Sequence, residues 1–227
     1  MSRPLLVLRP EPGASATALR ARALGREAVV APIFTVAACP WAPPDASGFD
    51  ALMLTSANAV RLAGPALARY HRLPVYAVGA ATGAAARAAG FGDVREGDDE
   101  ATMLLALAAA DGAGRLLHLT GREHRHAAHP AIAVERRIVY AADALDRLPD
   151  AARAALDAGA VALLHSPRAA ATFAALVDGS GIARAGLRIA AISDAARDAA
   201  GPGWRAALAA GRPTDAALLA VAARLCD

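Results

Sequence analysis

The chain contains an internal repeat, which constrains its fold more than any single motif does. Four pairs of segments resemble each other at an offset of about 110 residues, close to half of the 227-residue chain: 51–60 with 162–170, 75–82 with 188–195, 90–105 with 203–219 and 5–9 with 116–120. A constant offset over such a length indicates two similar structural units. Chance similarity in a sequence with 67 alanines is the alternative, and it would account for the weakest pair, 5–9 with 116–120.

Short apolar runs alternate with Ala-rich amphipathic stretches along the chain. This is the pattern of strands and helices in a parallel α/β sheet. The predicted strands are 5–8, 28–31, 51–55, 75–78, 116–119, 138–140, 161–165, 188–192 and 206–209. The predicted helices are 14–24, 58–70, 80–89, 100–110, 167–177, 194–200 and 214–225. The sequence therefore predicts the α/β class, with two similar parallel-sheet lobes.

Two β-like segments are candidates for crossings between the lobes. A tandem repeat does not require each half to fold as one lobe, because the chain can cross to the other lobe and return. Residues 32–36 and 137–141 occupy equivalent places in the two repeats. Residues 39–48, with three prolines around Trp41, are predicted to form an irregular connection.

Composition excludes several classes of protein. All 24 basic residues are Arg, so mechanisms that need a lysine amine, such as a Schiff base or a complete P-loop, are excluded. The net charge is +3, and no Arg-rich run is interleaved with the few aromatic residues, so we expect no nucleic-acid partner. Apolar residues 5–8 are too few for a signal peptide, and 101–110 are too few for a membrane span. We expect a cytoplasmic protein with no membrane partner, whose Cys39 and Cys226 are reduced thiols.

Short polar clusters follow the predicted strands, where ligands bind in parallel sheets. These clusters are 9–11, 55–58, 79–82, 120–122, 165–168 and 193–194. Capping of a helix accounts for any single hydroxyl residue among them, but six clusters converge on one cleft if two lobes face each other. Arg9, Arg122 and Arg168 lie in such loops, where a guanidinium group can bind a carboxylate, although each is equally explained as a solvated surface residue.

Other chemistries fit the sequence poorly. Residues 79–83 lack the complete GxGxxG pattern of a dinucleotide site. His118, His124, His126 and His129 do not share one helix face and lack a completing carboxylate or Cys, so we predict no metal site. A triad of Ser166, His165 and Asp194 is disfavoured, because adjacent strand residues point to opposite faces and no GxSxG motif is present.

Taken in order, the segments resemble the uroporphyrinogen-III synthase family. The resemblance runs from residue 5 to about residue 219. It rests on Leu8-Arg9-Pro10, on residues 25–32, on Phe49-Asp50-Ala51 followed by Thr55-Ser56-Ala57-Asn58-Ala59-Val60, on Val78-Gly79-Ala80-Ala81-Thr82, on Leu117-His118-Leu119-Thr120-Gly121-Arg122, on Val139-Tyr140, on His165-Ser166-Pro167-Arg168 and on Ala191-Ile192-Ser193. No one of these motifs is diagnostic, and the specificity lies in their order and spacing.

The resemblance implies two α/β lobes joined by a two-stranded linker. Lobe one would comprise residues 1–34 and 145–227, and lobe two residues 36–137, with linkers near 32–37 and 137–144. The implied enzyme is a cyclising hydro-lyase. It converts hydroxymethylbilane into uroporphyrinogen III and water with inversion of ring D, in tetrapyrrole (haem) biosynthesis. It uses no metal or organic cofactor, and we expect a monomer.

The resemblance also implies roles for individual residues. Tyr140 matches the linker tyrosine that is the favoured candidate for assisting water loss. The implied substrate-binding positions are Arg9, Ser56, Gly79, Thr82, Gly121, Arg122, Ser166 and Ser193, among which Gly79, Gly121 and Ser193 would act through backbone N–H groups. The chain departs from the family at Ser193 and Ala196, where many members carry Gly and then Thr, and in the shortened segment 122–137.

Two alternatives remain open from sequence. A bilobed small-molecule binding or regulatory module without turnover would have the same lobes and capped helices. A nucleotide-binding enzyme is the third hypothesis. An assay with hydroxymethylbilane distinguishes the synthase from the binding module. A thermal-shift screen with nucleotides tests the nucleotide-binding enzyme.

Overall fold

The computed structural model describes residues 3–97, 101–124 and 126–226. Their β-strands are β1 Leu5–Val7, β2 Ala28–Val30, β3 Phe34–Ala38, β4 Ala51–Leu54, β5 Val75–Val78, β6 Val94–Gly97, β7 Arg115–Gly121, β8 Ala133–Ala144, β9 Val161–Leu164, β10 Arg188–Ala191 and β11 Ala206–Ala209. Their α-helices are α1 Gly13–Ala23, α2 Ala57–Leu62, α3 Ala80–Ala88, α4 Ala101–Ala110, α5 Asp150–Asp157, α6 Pro167–Gly179, α7 Asp194–Ala199 and α8 Asp215–Cys226. The predicted start of α4 at residue 100 lies outside the described residues.

The chain divides into two compact units. The first unit comprises Met1–Thr35 and Asp143–Asp227, and the second comprises Val36–Ala142. The first unit is therefore discontinuous in sequence. The chain passes between the units within β3 and β8, which are neighbours in one sheet. The Cys39 N–H donates to the Val139 carbonyl at 2.9 Å and the Leu145 N–H to the Ile33 carbonyl at 3.0 Å, so these two strands run antiparallel.

Each unit is built on a mostly parallel sheet, and the two sheets have equivalent strand orders. The first sheet has the order β11-β10-β9-β1-β2 and the second has the order β6-β5-β4-β7-β8-β3. Strands that match in the sequence repeat, such as β4 and β9 or β5 and β10, occupy equivalent positions in the two sheets. The first sheet thus has the doubly wound order 2-1-3-4-5, and the second has the same spatial arrangement with its strands circularly permuted along the chain. The predicted fold class, two similar parallel-sheet α/β units, is confirmed.

Both faces of each sheet are covered, which explains why the strands read as continuous apolar runs. In the first unit, Leu6 faces the cluster that contains Phe173 of α6, whereas Leu5 faces the cluster that contains Leu218 of α8. In the second unit, Leu52 and Leu54 of β4 pack with Tyr70, and Met53 packs on the opposite face against α4. Alanines on the buried helix faces allow close packing of helix on sheet, and alanine has the highest intrinsic helix propensity.

The structure differs from the predicted elements at several places, and β6 is a strand outside the predicted set. The helix predicted over 58–70 ends at Leu62, because Gly64 adopts φ +72° and Pro65 starts a separate 3-10 helix, Pro65–Tyr70. Helix α5 was not predicted. Strand β8 extends well beyond the predicted 138–140, because the half-buried polar run 135–137 carries no apolar pattern that marks a strand. No helix in residues 3–97, 101–124 or 126–226 has both the length and the apolar character that a membrane crossing requires.

We predict that residues 1–34 need the C-terminal segment 145–227 in order to fold. Strand β1 pairs with β9 on one side and β2 on the other, and its residues are almost fully buried. A fragment that ends at Tyr140 lacks β9, so the amides of Leu6 and Val7 should exchange with solvent rapidly, whereas the amides of β4 and β5 stay protected and serve as the control. Slow exchange at Leu6 and Val7 in this fragment would show that the domain assignment is wrong.

Candidate functional site

A cavity of about 500 Å³ opens at the carboxyl edge of the second unit's sheet. Hydroxyl groups form much of its polar lining, and no Arg belongs to the lining among the described residues. The lining consists of Thr55, Ser56, Val78, Ala101, Thr102, Thr120, Glu123, His124, His126, Ala127 and Tyr140. The cavity therefore presents neutral hydrogen-bonding groups together with a short acidic and histidine-containing loop.

The topology of the sheet explains the position of this cavity. Strands β4 and β7 are parallel neighbours, with Leu54 opposite Leu119, so Thr55 and Thr120 follow them at the same edge. From this pair the chain continues outward in opposite directions, to β5 on one side and β8 on the other. Such a reversal opens a crevice beyond the carboxyl ends of the strands, which is where ligands bind in open α/β sheets.

An irregularity in strand pairing aims Tyr140 at the cavity. Thr120 lies opposite Ile138, but Gly121 lies opposite Tyr140, so the register between β7 and β8 shifts by one residue. The Arg122 N–H donates to the Tyr140 carbonyl at 2.9 Å and closes the irregularity. A Cβ atom on Gly121 would lie 2.6 Å from Cζ of Tyr140 and 2.9 Å from its hydroxyl oxygen. The tyrosine ring packs directly on the glycine backbone, so any larger residue at this position would displace the ring.

Ser56 and Thr55 stand side by side at the end of β4. Ser56 is the N-cap of α2, where its Oγ accepts a hydrogen bond from the Asn58 N–H at 3.2 Å. The hydroxyl oxygen of Thr55 lies 3.1 Å from Nε2 of His118. The structure thus brings two residues predicted from sequence, Ser56 and Tyr140, into one cavity.

His118 is a buried histidine in the interior of β7. Its side chain is almost out of contact with solvent, at 3% exposure of the residue. Burial, and to a lesser extent the proximity of Arg136 and His124, lowers the pKa of His118 to about 3. The ring is therefore neutral at physiological pH. Its Nδ1 is buried without a hydrogen-bond partner among the described residues.

The other predicted residues of the second unit do not line this cavity. Gly79 is the N-cap of α3 and adopts φ +73°, a conformation that favours glycine, and Thr82 lies in the first turn of α3 with only 4% exposure. Arg122 is exposed and follows the end of β7. Their contacts with a substrate stay predictions.

The predicted residues of the first unit lie at the carboxyl edge of its own sheet. Ser166 caps α6 by accepting from the Ala169 N–H at 3.0 Å, and Ser193 caps α7 by accepting from the Ala196 N–H at 3.3 Å. Both hydroxyls thus have the capping role that the sequence leaves open. Their roles toward a ligand stay predictions.

Arg9 lies beside an acidic network in the first unit. Its Nη1 is 3.8 Å from Oδ1 of Asp215. The same Oδ1 accepts a hydrogen bond from Thr17 at 2.9 Å and lies 3.1 Å from Nε2 of His165, and Oδ2 accepts from Arg20 at 2.8 Å. Burial alone would raise the pKa of Asp215, but its hydrogen bonds hold that pKa well below the usual range. Burial lowers the pKa of Arg9, an effect that Asp215 partly offsets. His165 thus pairs with Asp215, whereas Asp194 pairs with Arg197 at 2.8 Å.

Sequence reasoning missed several residues of the cavity. Thr55 and Thr120 belonged to polar clusters after strands, but neither was selected as a site residue, and Thr102 had no distinguishing pattern. His118 was considered only as a metal ligand, although a histidine inside the apolar run Leu116–Leu119 indicates a buried polar group that needs a partner. Within the described ranges, no group of three or more His, Cys, Asp and Glu side chains is placed to hold a metal ion.

The fold and the cavity define a two-unit α/β protein with a hydroxyl-lined cavity at the carboxyl edge of one sheet. The family model for uroporphyrinogen-III synthase HemD matches residues 15–220. The chain therefore belongs to the uroporphyrinogen-III synthase family, a family of enzymes that act on a tetrapyrrole.

Two solved structures resemble this chain over almost its whole length. The chain is similar to uroporphyrinogen-III synthetase from Helicobacter pylori 26695, with a TM-score of 0.65, 18% identity, and coverage of 99% of this chain and 100% of that one. This similarity shows a shared fold. Wild-type uroporphyrinogen III synthase from the extremely thermophilic bacterium Thermus thermophilus also matches, with a TM-score of 0.42, 17% identity and coverage of 99% and 98%. The comparison with curated protein sequences found no match.

We predict that His118 makes folding stability depend on pH between 7 and 5. Its pKa is about 3 in the folded chain and about 6.5 when unfolded, so acidification protonates the unfolded chain first and favours it. The free energy of unfolding should fall by about 2 kcal/mol from pH 7 to pH 5 on this account. Denaturant titrations should show this loss in wild type and in the exposed-site control His71→Gln, but not in His118→Gln. Equal pH dependence in all three would contradict a neutral, buried His118.

Proposed function

We propose that this chain is a cyclising lyase that converts hydroxymethylbilane into uroporphyrinogen III and water. The proposal includes action as a monomer in the cytoplasm, without a metal or organic cofactor and without nucleic-acid or membrane partners. Membership of the uroporphyrinogen-III synthase family supports the reaction. The observation that carries the proposal to this chain's own residues is the hydroxyl-lined cavity into which Tyr140 projects. Nothing in the comparisons favours a binding module without turnover.

The residues of the cavity suit the first step of this reaction. The hydroxymethyl oxygen departs as water when it receives a proton or a strong hydrogen bond. Tyr140 offers a phenolic O–H at the cavity surface, held by its packing on Gly121. We propose that this hydroxyl assists the departure of water. The carbon left behind is an electrophile, and the electron-rich pyrrole supplies the nucleophile.

The remaining steps need geometry more than chemical groups. Closure without inversion is the easier uncatalysed outcome, so the enzyme must position the terminal ring for attack through its substituted carbon. The resulting spiro intermediate fragments and recloses with the ring inverted. A rigid wall built on neighbouring parallel strands, β4, β7 and β8, supports such positioning.

Binding of the substrate's acetate and propionate groups is proposed for residues of both units. In the second unit these are Ser56, Gly79, Thr82, Gly121 and Arg122. In the first unit Arg9, Ser166 and Ser193 lie at the corresponding edge of the sheet. The hydroxyl and backbone N–H donors of this set bind carboxylates without a buried positive charge, and Arg9 and Arg122 add charged donors to it.

The direct test is turnover of hydroxymethylbilane, which a separate enzyme, hydroxymethylbilane synthase, generates in the assay. We expect the purified chain to yield the type III isomer, separated chromatographically from type I after oxidation to porphyrins. Heat-denatured chain is the control, because it should give the type I product of spontaneous closure. Only type I product with the native chain would refute the proposal.

We predict that Tyr140→Phe lowers turnover with little effect on stability. The substitution removes one polar atom and keeps the ring that packs on Gly121. The rate should fall about 10²-fold if the hydroxyl is a general acid, and less if it only donates a hydrogen bond. The measurements are initial rate, proportion of type III product and melting temperature. A variant equal to wild type in rate and isomer ratio would remove Tyr140 from the mechanism.

Gly121→Ala should lower turnover by displacing the Tyr140 ring. The added Cβ would lie 2.6 Å from Cζ, so the ring must move away from its position at the cavity surface. We expect a rate loss comparable to that of Tyr140→Phe and little further loss when the two substitutions are combined. Gly48→Ala is the matched control, since its added Cβ meets no atom within 4 Å. Full activity in Gly121→Ala would contradict the proposed placement of the tyrosine.

A further inference from the structure

The adjacent hydroxyls of Thr55 and Ser56 differ from the other hydroxyls of the cavity in their hydrogen bonds to the protein. The Oγ of Ser56 accepts from the Asn58 N–H at 3.2 Å. The Oγ1 of Thr55 lies 3.1 Å from Nε2 of His118. Each hydroxyl has one proton to donate, so its orientation depends on whether the protein uses the oxygen as an acceptor.

The environment of His118 determines the direction of its hydrogen bond with Thr55. A neutral imidazole carries one proton, on Nδ1 or on Nε2. A proton on Nδ1 would be a buried N–H donor without a partner among the described residues, and such donors are rare in proteins. A proton on Nε2 instead forms a hydrogen bond with Thr55. The ring therefore donates from Nε2, and Thr55 accepts.

The hydrogen bond from His118 determines which way the Thr55 O–H points. Because its oxygen accepts from His118, its own proton is available to the cavity that it lines. Thr55 thus presents an O–H donor whose direction the protein sets, and a carboxylate oxygen is a suitable acceptor for it.

We propose that His118 is a positioning residue that orients the Thr55 hydroxyl, so that Thr55 donates a hydrogen bond to a carboxylate of the substrate. This inference rests on the proposed function, which supplies a substrate with acetate and propionate side chains. Glu123 also lies in the lining, in the same loop as His124 and His126. The Thr55 hydroxyl carries no charge, so it binds the carboxylate without repelling it.

Four variants test the coupling between the two residues. His118→Phe keeps an aromatic ring but removes the donor, and His118→Gln keeps an N–H donor. Thr55→Val removes the hydroxyl, and Thr55→Ser keeps it. We expect His118→Phe and Thr55→Val each to raise KM about 10-fold with kcat changed less than about 2-fold, because a contact made equally in ground and transition states is lost. His118→Gln and Thr55→Ser should restore KM to within about 3-fold of wild type.

The double variant separates positioning from a structural role. If His118 acts through Thr55, adding His118→Phe to Thr55→Val should raise KM no further. Multiplied effects, or an unchanged KM in either single variant, would overturn the inference. His71→Gln is the matched control and should leave KM and kcat unchanged, because His71 is exposed and outside the cavity lining.

Two readouts do not require turnover and keep the inference separable from the proposed function. The ¹⁵N shifts of the His118 ring in the wild-type chain should identify the neutral Nε2–H tautomer at pH 7, and the Nδ1–H tautomer would overturn the inference. Uroporphyrin III, an octacarboxylate, should bind Thr55→Val about 10-fold more weakly than wild type by fluorescence titration, and equal binding would overturn it. Wild-type chain that lacks turnover but passes both tests would refute only the proposed reaction.

Discussion

The parallel pairing of β4 with β7 is the interaction on which the site depends. The two strands come from different halves of the chain, and their register places Leu54 opposite Leu119. This pairing brings Thr55 next to the buried ring of His118 and sets Thr120 at the same edge. The shifted register between β7 and β8 then brings Tyr140 onto Gly121. A slip of one residue in either strand pair would turn these side chains to the opposite face of the sheet.

Much of the fold was predictable, because both sheets are buried on two sides and their strands stand out as apolar runs. The predicted bounds of β5 and β11 agree with the structure. The break after α2 depends on the positive φ of Gly64, which periodicity does not reveal. Helix α5 is absent from the predicted helices although its buried residues Ala152, Ala155 and Leu156 follow the i, i+3, i+4 spacing of a helix.

The candidate site was less predictable, because its chemistry depends on partners from distant parts of the sequence. Ser56 and Tyr140 were identified through their resemblance to family motifs, and both line the cavity. The role of Gly121 in holding the tyrosine ring required the strand register, and the pairing of His118 with Thr55 joins residues 63 positions apart. Capping serines such as Ser166 and Ser193 illustrate the opposite difficulty, since one sequence pattern serves both structure and binding.

The central claim is that the hydroxyl-lined cavity of the second unit receives the tetrapyrrole through neutral donors. Amide chemical-shift mapping tests this claim directly, with isotope-labelled chain titrated with uroporphyrin III. We expect the largest shifts at Thr55, Ser56, Thr120 and Tyr140, with the amides at the opposite, amino-terminal ends of β4 and β7 unaffected. Shifts confined to those amino-terminal ends, with none around the cavity, would contradict the account.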